Sequence, residues 1–138
     1  MTTSAVVFAV VLGTLHAAHS VADHWVQSQC QANRKGLPGW TGRLACAGHV
    51  TTYTLTALAA LLLAVAVTGI TLHPLATAAG LTVSALSHYI ADRRTPLRWL
   101  ANRLGKDPGW LDNGGGLYAL DQSWHHGWLF LSALVVAA

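Results

Sequence analysis

The segment LAALLLAVAV, residues 58–67, decides the fold because it consists of ten consecutive apolar residues. It lies within a longer stretch, residues 42–69, whose one charged side chain is Arg43 near its start. About 20 apolar residues in an α-helix cross a hydrocarbon core roughly 30 Å thick. The sequence therefore predicts a transmembrane helix over residues 42–69.

Three further stretches have a similar character, at about residues 4–31, 75–92 and 117–138. The chain is 53% hydrophobic and 9% charged, whereas soluble domains are about 25% charged. We therefore predict an all-α polytopic membrane protein, a four-transmembrane-helix bundle that forms a single domain over residues 1–138. The first stretch lacks the positively charged n-region of a signal peptide, so it is interpreted as a helix of the mature protein.

A short helix is predicted between the third and fourth spans. Thr95-Pro96 is typical of an N-cap followed by proline at the first helical position. Residues 96–104 are too few to cross a membrane, and Leu97, Leu100 and Leu104 recur on one side. We expect this helix to lie flat at the membrane interface. The glycine-rich segment after it, residues 106–116, is predicted to be a loop.

The basic residues predict the orientation. All eight lie around the first and third loops: Arg34, Lys35, Arg43, Arg93, Arg94, Arg98, Arg103 and Lys106. By the positive-inside rule these loops are cytoplasmic and both termini lie on the other side of the cell membrane. The net charge of +3 then reflects topology, and no nucleic-acid partner is expected. Cys30 and Cys46 lie near these loops, in a reducing compartment, and are expected to be free thiols.

Histidine and aspartate recur inside the predicted spans, where ionisable side chains are costly and indicate a functional site. Three helices carry one of each at a spacing of four, which places both side chains on one helical face. The second span adds a further histidine. The predicted metal-binding set is His19, Asp23, His49, His88, Asp92, Asp121 and His125.

Their depth in the bilayer is shared. With a rise of about 1.5 Å per residue, His49 lies roughly 9 Å beyond Arg43, and His88 lies roughly 7 Å before Arg93. His125 lies roughly 13 Å beyond Gly116 on the same estimate. Because successive helices are antiparallel, we expect all seven side chains in one layer of the cytoplasmic half.

Four other residues are candidates for the same layer: His16, Gln27, Tyr53 and Gln122. Each could be a ligand or orient one, and for each a purely structural role is the alternative. His24 and His126 are expected at the interface, about 100° around the helix from the neighbouring pair member. His73 lies in the opposite loop, too far away to join.

Imidazole nitrogens and carboxylate oxygens suit zinc and similar divalent ions, and helix bundles build metal sites from inward-facing pairs of this kind. Seven donors exceed the needs of one tetrahedral ion, so one or two ions are expected. The histidines are predicted ligands. Asp23, Asp92 and Asp121 are the predicted catalytic residues, as ligands, bridging groups or general base. The alternative is a set of metal-free His–Asp pairs that join the helices.

The sequence resembles a bacterial integral-membrane family named domain of unknown function 3307. The resemblance covers most of the chain in order: His19-Ser-Val-Ala-Asp23 followed by Gln27, a basic residue at Lys35, His49 with Tyr53, His88-Tyr-Ile-Ala-Asp92, and Asp121-Gln122 followed by His125. The resemblance implies an inner-membrane protein that has the His/Asp set of the family. The family name assigns no activity. The pattern is more distantly similar to small inner-membrane metal-dependent hydrolases.

The function expected from these residues is hydrolysis of a lipid or amphiphilic ester or phosphoester at the cytoplasmic leaflet, dependent on a divalent metal, with zinc the expected ion. Arg93, Arg94 and Arg98 stand where an anionic headgroup would lie. A small carrier of metal ions or protons that uses the same cluster is the main alternative. Haem binding is disfavoured because nearly every histidine is paired with a carboxylate. Membrane lipids are the expected partners, and a homodimer is plausible.

Overall fold

The computed structural model describes residues 3–138, which contain α-helices, one π-helical turn and no β-strand. The helices are α1 (Ser4–Val21), α2 (Gln29–Arg34), α3 (Gly39–Thr68), α4 (Pro74–Asp92), α5 (Thr95–Arg103), α6 (Pro108–Asn113) and α7 (Gly116–Ala137). The π-helical turn, Ala22–Val26, continues α1 without a break. The prediction of an all-α fold is confirmed.

The long helices α1, α3, α4 and α7 pack into a bundle whose core is apolar over most of its length. Buried side chains from α1, α3 and α7 form this core: Val7, Val11, Leu15, Ala18, Ala57, Leu61, Leu129, Ala133 and Val136. Helix α4 approaches α7 closely at Gly80, where a Cβ atom would overlap Val136 and the Ser132 carbonyl. Small residues permit such close contact between membrane helices.

Two of the described helices are long and apolar enough to cross a membrane. They are α1 with its π-helical turn (Ser4–Val26) and α3, with mean hydropathies of 1.8 and 2.0. Helices α4 and α7 do not meet the same criteria, because histidine, aspartate and serine lower their hydropathy. Length and composition therefore support two spans of the four that were expected.

The first predicted segment, residues 4–31, is wrong as a single helix. The chain leaves the helix at Gln27, where ψ is 124°, and α2 starts anew after Ser28. The Ser28 hydroxyl accepts from the Gln31 amide at 3.2 Å, and the Gln31 side chain accepts from the Ser28 amide at 2.9 Å. This reciprocal capping box explains why a second helix begins here.

The third loop also differs from the prediction. Helix α5 begins at Thr95 and its N-cap is Arg94, so the predicted Thr95 cap is one residue too late. Within residues 106–116, predicted to be a loop, Asp107 caps helix α6 by accepting from the Trp110 amide at 2.7 Å. An aspartate followed by proline is a helix start signal.

The two basic loops meet at one end of the bundle. The Arg93 guanidinium donates to the carbonyls of Lys35 and Leu37, both at 2.6 Å. This contact fixes the α2–α3 connection against the end of α4. The two cysteines at this end are both free, Cys30 exposed and Cys46 buried, which confirms the expectation that they are not paired.

Candidate metal centre

All seven predicted metal-binding residues come together where the basic end of the bundle closes over the apolar core. Four buried imidazoles, one from each long helix, form the centre: His19, His49, His88 and His125. The His88 ring lies 4.2 Å from the His125 ring and 5.0 Å from the His49 ring, between centroids. The aspartates border this group on the side of the basic loops.

Four donor atoms define the tightest part of the cluster. The Nε2 atoms of His49 and His88 are 3.0 Å apart. Asp23 Oδ1 lies 3.4 and 3.5 Å from these two atoms, and Asp92 Oδ2 lies 3.3 Å from each. Around an ion with bonds of about 2.0–2.1 Å, a regular tetrahedron of ligands has edges of about 3.3–3.4 Å. These five separations are close to the edges of such a tetrahedron, so each aspartate oxygen could share a zinc ion with the two imidazole nitrogens.

The same oxygen atoms lack other partners. Asp23 Oδ1 and Asp92 Oδ2 are buried and have no hydrogen-bond partner within residues 3–138. Leaving a buried polar group unpaired costs about 1–3 kcal/mol, and more when it is charged. Both oxygens lie close to the Nε2 atoms of His49 and His88. A cation among these atoms would give each oxygen a partner.

The π-helical turn positions Asp23. The Gln27 amide donates to the Ala22 carbonyl at 2.8 Å, a bond one residue longer than in an α-helix. Turns of this kind occur frequently at functional sites. In this turn Asp23 Oδ1 lies 3.8 Å from His19 Nδ1 and also reaches the histidines of α3 and α4.

Lys35 is a site residue that sequence reasoning missed. Its Nζ lies 2.7 Å from Asp92 Oδ1, and the two side chains are 10% and 1% exposed. Lys35 was assigned only a topological role, although the family resemblance included a basic residue at this position. The ammonium compensates the charge of Asp92 and leaves Oδ2 directed at the histidines.

A second group of donors adjoins the first. His125 Nδ1 lies 3.5 Å from Asp121 Oδ2, and ligand atoms of both lie within 4.8 Å of one from Asp92. Both ring nitrogens of His19 and of His125 are buried without a hydrogen-bond partner in the described chain. Gln122 Nε2 donates to Asp121 Oδ2 at 3.2 Å. This group could hold a second ion or orient a water molecule.

Tyr53 supports the centre and offers no atom to it. Its ring packs against the His88 ring at 4.1 Å between centroids, and its hydroxyl is 2.5 Å from Ser84 Oγ. Trp124 Nε1 donates to the Ser87 carbonyl at 3.1 Å, next to His88 in the chain. These contacts hold His88 in its orientation.

A cavity of about 480 Å³ lies at the basic end of the molecule, beside the aspartates of the centre. Asp23, Asp92 and Asp121 line it together with Lys35, and Gln27 and Gln122 contribute amides. Arg94 and Arg98 line it as well. A ligand in this cavity would contact the carboxylates of the metal centre and the cationic side chains at the same time.

The two cavity arginines differ in setting. Arg94 has a φ of 59°, the one positive value at a non-glycine residue in the described chain, and strained conformations of this kind cluster at functional sites. Arg98 pairs with Asp112, and this hydrogen bond lowers the pKa of the Asp112 carboxyl. Arg93, expected beside them, does not line the cavity because it binds the carbonyls of the α2–α3 connection.

The other histidines lie outside the cluster. His16 is exposed and stacks on His126, with ring centroids 4.6 Å apart. His24 is exposed and contacts the Tyr118 hydroxyl at 3.3 Å. His73 is exposed just before α4, at the opposite end. Of the four additional candidates, Gln27 and Gln122 line the cavity, Tyr53 supports His88, and His16 is not part of the centre.

No protein-family model, curated protein or solved structure matches this chain.

Proposed function

We propose that this chain is a membrane-embedded zinc-dependent hydrolase that acts on an ester or phosphoester of a lipid or amphiphile at the cytoplasmic leaflet. One observation carries the proposal. Four donor atoms, from His49, His88, Asp23 and Asp92, lie 3.0–3.5 Å apart in five of their six pairs, and both aspartates line a cavity.

Exposed apolar side chains support four spans. Large hydrophobic residues on α3, α4 and α7 are between 42% and 76% exposed, including Leu62, Val67, Leu75, Leu86 and Leu131. Soluble monomers rarely expose extended apolar surfaces of this kind. Lipid contact on every long helix accounts for them, and several polar residues that lower the hydropathy of α4 and α7 are buried: Ser84, Ser87, His88, Asp92, His125 and Ser132.

The basic end fits a cytoplasmic interface. Trp25, Trp40 and Trp99 are 64% to 85% exposed near it, and tryptophan is enriched at the boundary between membrane and water. Helix α5 buries Leu97 and Ala101 and exposes its polar side, as an interfacial helix does. In this orientation the cavity opens to the cytoplasmic headgroup region.

Charge balance favours one tightly held ion. Three carboxylates gather at the site, and among residues 3–138 Lys35 is the one lysine or arginine in direct contact with them. Buried charges are stable when they are paired. One divalent ion added to Lys35 neutralises the three aspartates, so zinc stabilises the arrangement.

The residues divide into roles. A zinc ion held by the four donors would have no free position in a tetrahedral shell, so it would bind the attacking water by expanding to five ligands, and it would make that water nucleophilic at neutral pH. Asp121 lines the cavity outside the four-donor set, so it is the candidate general base, oriented by the Gln122 amide. Arg94 and Arg98 would bind an anionic group of the substrate. This refines the expectation that all three aspartates are catalytic, because Asp23 and Asp92 become ligands.

Transport is the less favoured function. Beyond the cluster, toward the other membrane face, the described core consists of apolar side chains such as Val7, Val11 and Leu61. An ion leaving the site in that direction would meet no continuous polar path. A carrier predicts zinc accumulation inside liposomes that contain the protein, whereas the hydrolase predicts none.

The test is hydrolysis by the zinc-loaded protein in detergent. A mixture of phospholipids is supplied, and free phosphate and free fatty acid are both measured. Asp121→Asn is expected to keep its zinc and to lose about 10²–10⁴-fold in rate, the usual contribution of a general base. Asp107→Asn, which exchanges one good N-cap for another, should match wild type. Full activity of Asp121→Asn, or no product from any lipid with wild type, would contradict the proposal.

A further inference from the structure

An apolar groove lies beside the polar cavity. It has a volume of about 570 Å³ and runs between α5 and α7. Its walls are mostly hydrocarbon and aromatic, and Lys106 and Ser123 are the polar residues among them; the large apolar contributors are Leu100, Leu104, Leu120, Trp128, Phe130 and Leu131. The hydrolysis proposed above uses none of these residues.

The groove and the cavity are neighbours. Leu97 lines both, and it is buried beneath α5. A molecule with a polar head in the cavity can therefore place an attached chain in the groove by passing Leu97. The groove accepts hydrocarbon, and the cavity accepts charge.

The charge of the cavity indicates which polar head group the bound molecule carries. Lys35 and one divalent ion would neutralise Asp23, Asp92 and Asp121, and Asp112 offsets one of the two arginines, so the lining would have a net charge of +1. The exposed pair of Arg98 with Asp112 is worth little in water, so Arg98 can turn to a ligand. A phosphate monoester is an anion whose oxygens can accept hydrogen bonds from both guanidinium groups, so it fits this positive charge and the bidentate geometry of arginine. A neutral acyl ester would gain nothing from it.

We propose that the substrate is a lipid phosphomonoester whose phosphate binds in the cavity while its hydrocarbon chain lies in the groove between α5 and α7. This inference rests on the proposed function. In the reaction, water adds to phosphorus and the bond from phosphorus to the lipid alcohol oxygen breaks. Asp121 accepts a proton from the water and a proton passes to the leaving oxygen, so the products are the lipid alcohol and inorganic phosphate.

Gly127 offers a clean test of the groove. It lies in the groove wall on α7, and a Cβ atom there would meet nothing within 4 Å. A leucine at this position would extend from the groove wall, and its Cβ atom would meet no neighbour within 4 Å. Gly13 on α1 has equal clearance and lies outside the groove, so Gly13→Leu is the matched control.

The experiment compares dihexanoyl and dioleoyl phosphatidic acid in detergent, with phosphate release as the readout. Gly127→Leu is expected to lower kcat/KM for the dioleoyl lipid about tenfold or more, because one or two methylene contacts have about this effect. Its rate on the dihexanoyl lipid should stay within about twofold of wild type, because the short chains should make little contact with the groove. A twofold change is smaller than the effect of losing one methylene contact. Gly13→Leu should leave both rates unchanged. An equal effect on both chain lengths, or no effect on either, would overturn the groove assignment, as would release of fatty acid in place of phosphate.

A second measurement keeps the two proposals separable. A phosphatidic acid with a photoreactive acyl chain is cross-linked to the wild-type protein, and the modified residues are mapped. Cross-links at Leu100, Leu104 or Trp128 support the groove even if hydrolysis itself fails. Cross-links spread evenly around the bundle indicate ordinary boundary lipid, and cross-links to a co-purified protein indicate a protein partner. Either result overturns the inference.

Discussion

The His88→Ala variant is expected to lose the tight zinc site, with an affinity more than about 100-fold below that of wild type. Loss of a residue that only orients a ligand already costs 10–100-fold, and His88 Nε2 contacts three of the proposed ligand atoms directly. His88 also packs between Tyr53 and His125. Its removal should therefore loosen both groups of donors.

The readout is zinc per chain by elemental analysis after dialysis against a weak chelator. Wild type is expected to retain one ion per chain and His88→Ala none. His73→Ala, which truncates an exposed histidine at the opposite end, should retain zinc like wild type. If His88→Ala and His73→Ala bind equally, the ligand assignment is wrong.

The second large effect concerns Lys35. Lys35→Met removes the ammonium 2.7 Å from Asp92 Oδ1 and leaves that buried carboxylate without its cation. Breaking a buried ion pair by removing one partner costs about 3–5 kcal/mol. We expect this loss in the free energy of unfolding of the metal-free protein. With zinc bound the loss should be much smaller, because the ion compensates the same carboxylate.

Unfolding by denaturant in mixed micelles, with chelator and then with zinc, measures both values. Lys106→Met serves as the control, since Lys106 is exposed and surface changes of this kind stay within about 0.5 kcal/mol. A Lys35→Met protein that is as stable as wild type in chelator would show that the ion pair does not matter to the fold.

Much of the site could be predicted from spacing. The His88–Asp92 pair and its counterparts on α1 and α7 share helical faces, and helical rise gives their depth, so their meeting followed from the sequence. The separate roles of the three aspartates could not be predicted in this way. Nothing in the spacing of Asp23, Asp92 and Asp121 says which oxygens approach the histidines within 3.5 Å, since this depends on how the helices rotate about their axes.

The errors have physical causes. The chain turns at Gln27, where the π-helical turn ends, and the Ser28–Gln31 capping box that starts α2 is a local signal that the sequence contains. The position of Lys35 beside Asp92 depends on a contact between loops that are distant in sequence. In this contact Arg93 donates to the carbonyls of Lys35 and Leu37. Helical periodicity cannot reveal such a contact.

The four-donor site is tested most directly by X-ray absorption at the zinc edge on protein loaded with one ion per chain. We predict four-coordinate zinc with two imidazole nitrogens and two oxygens at about 2.0–2.2 Å. A sulfur ligand at about 2.3 Å, as Cys46 would supply, or a six-coordinate shell of oxygens would contradict the assignment of His49, His88, Asp23 and Asp92 as the metal ligands.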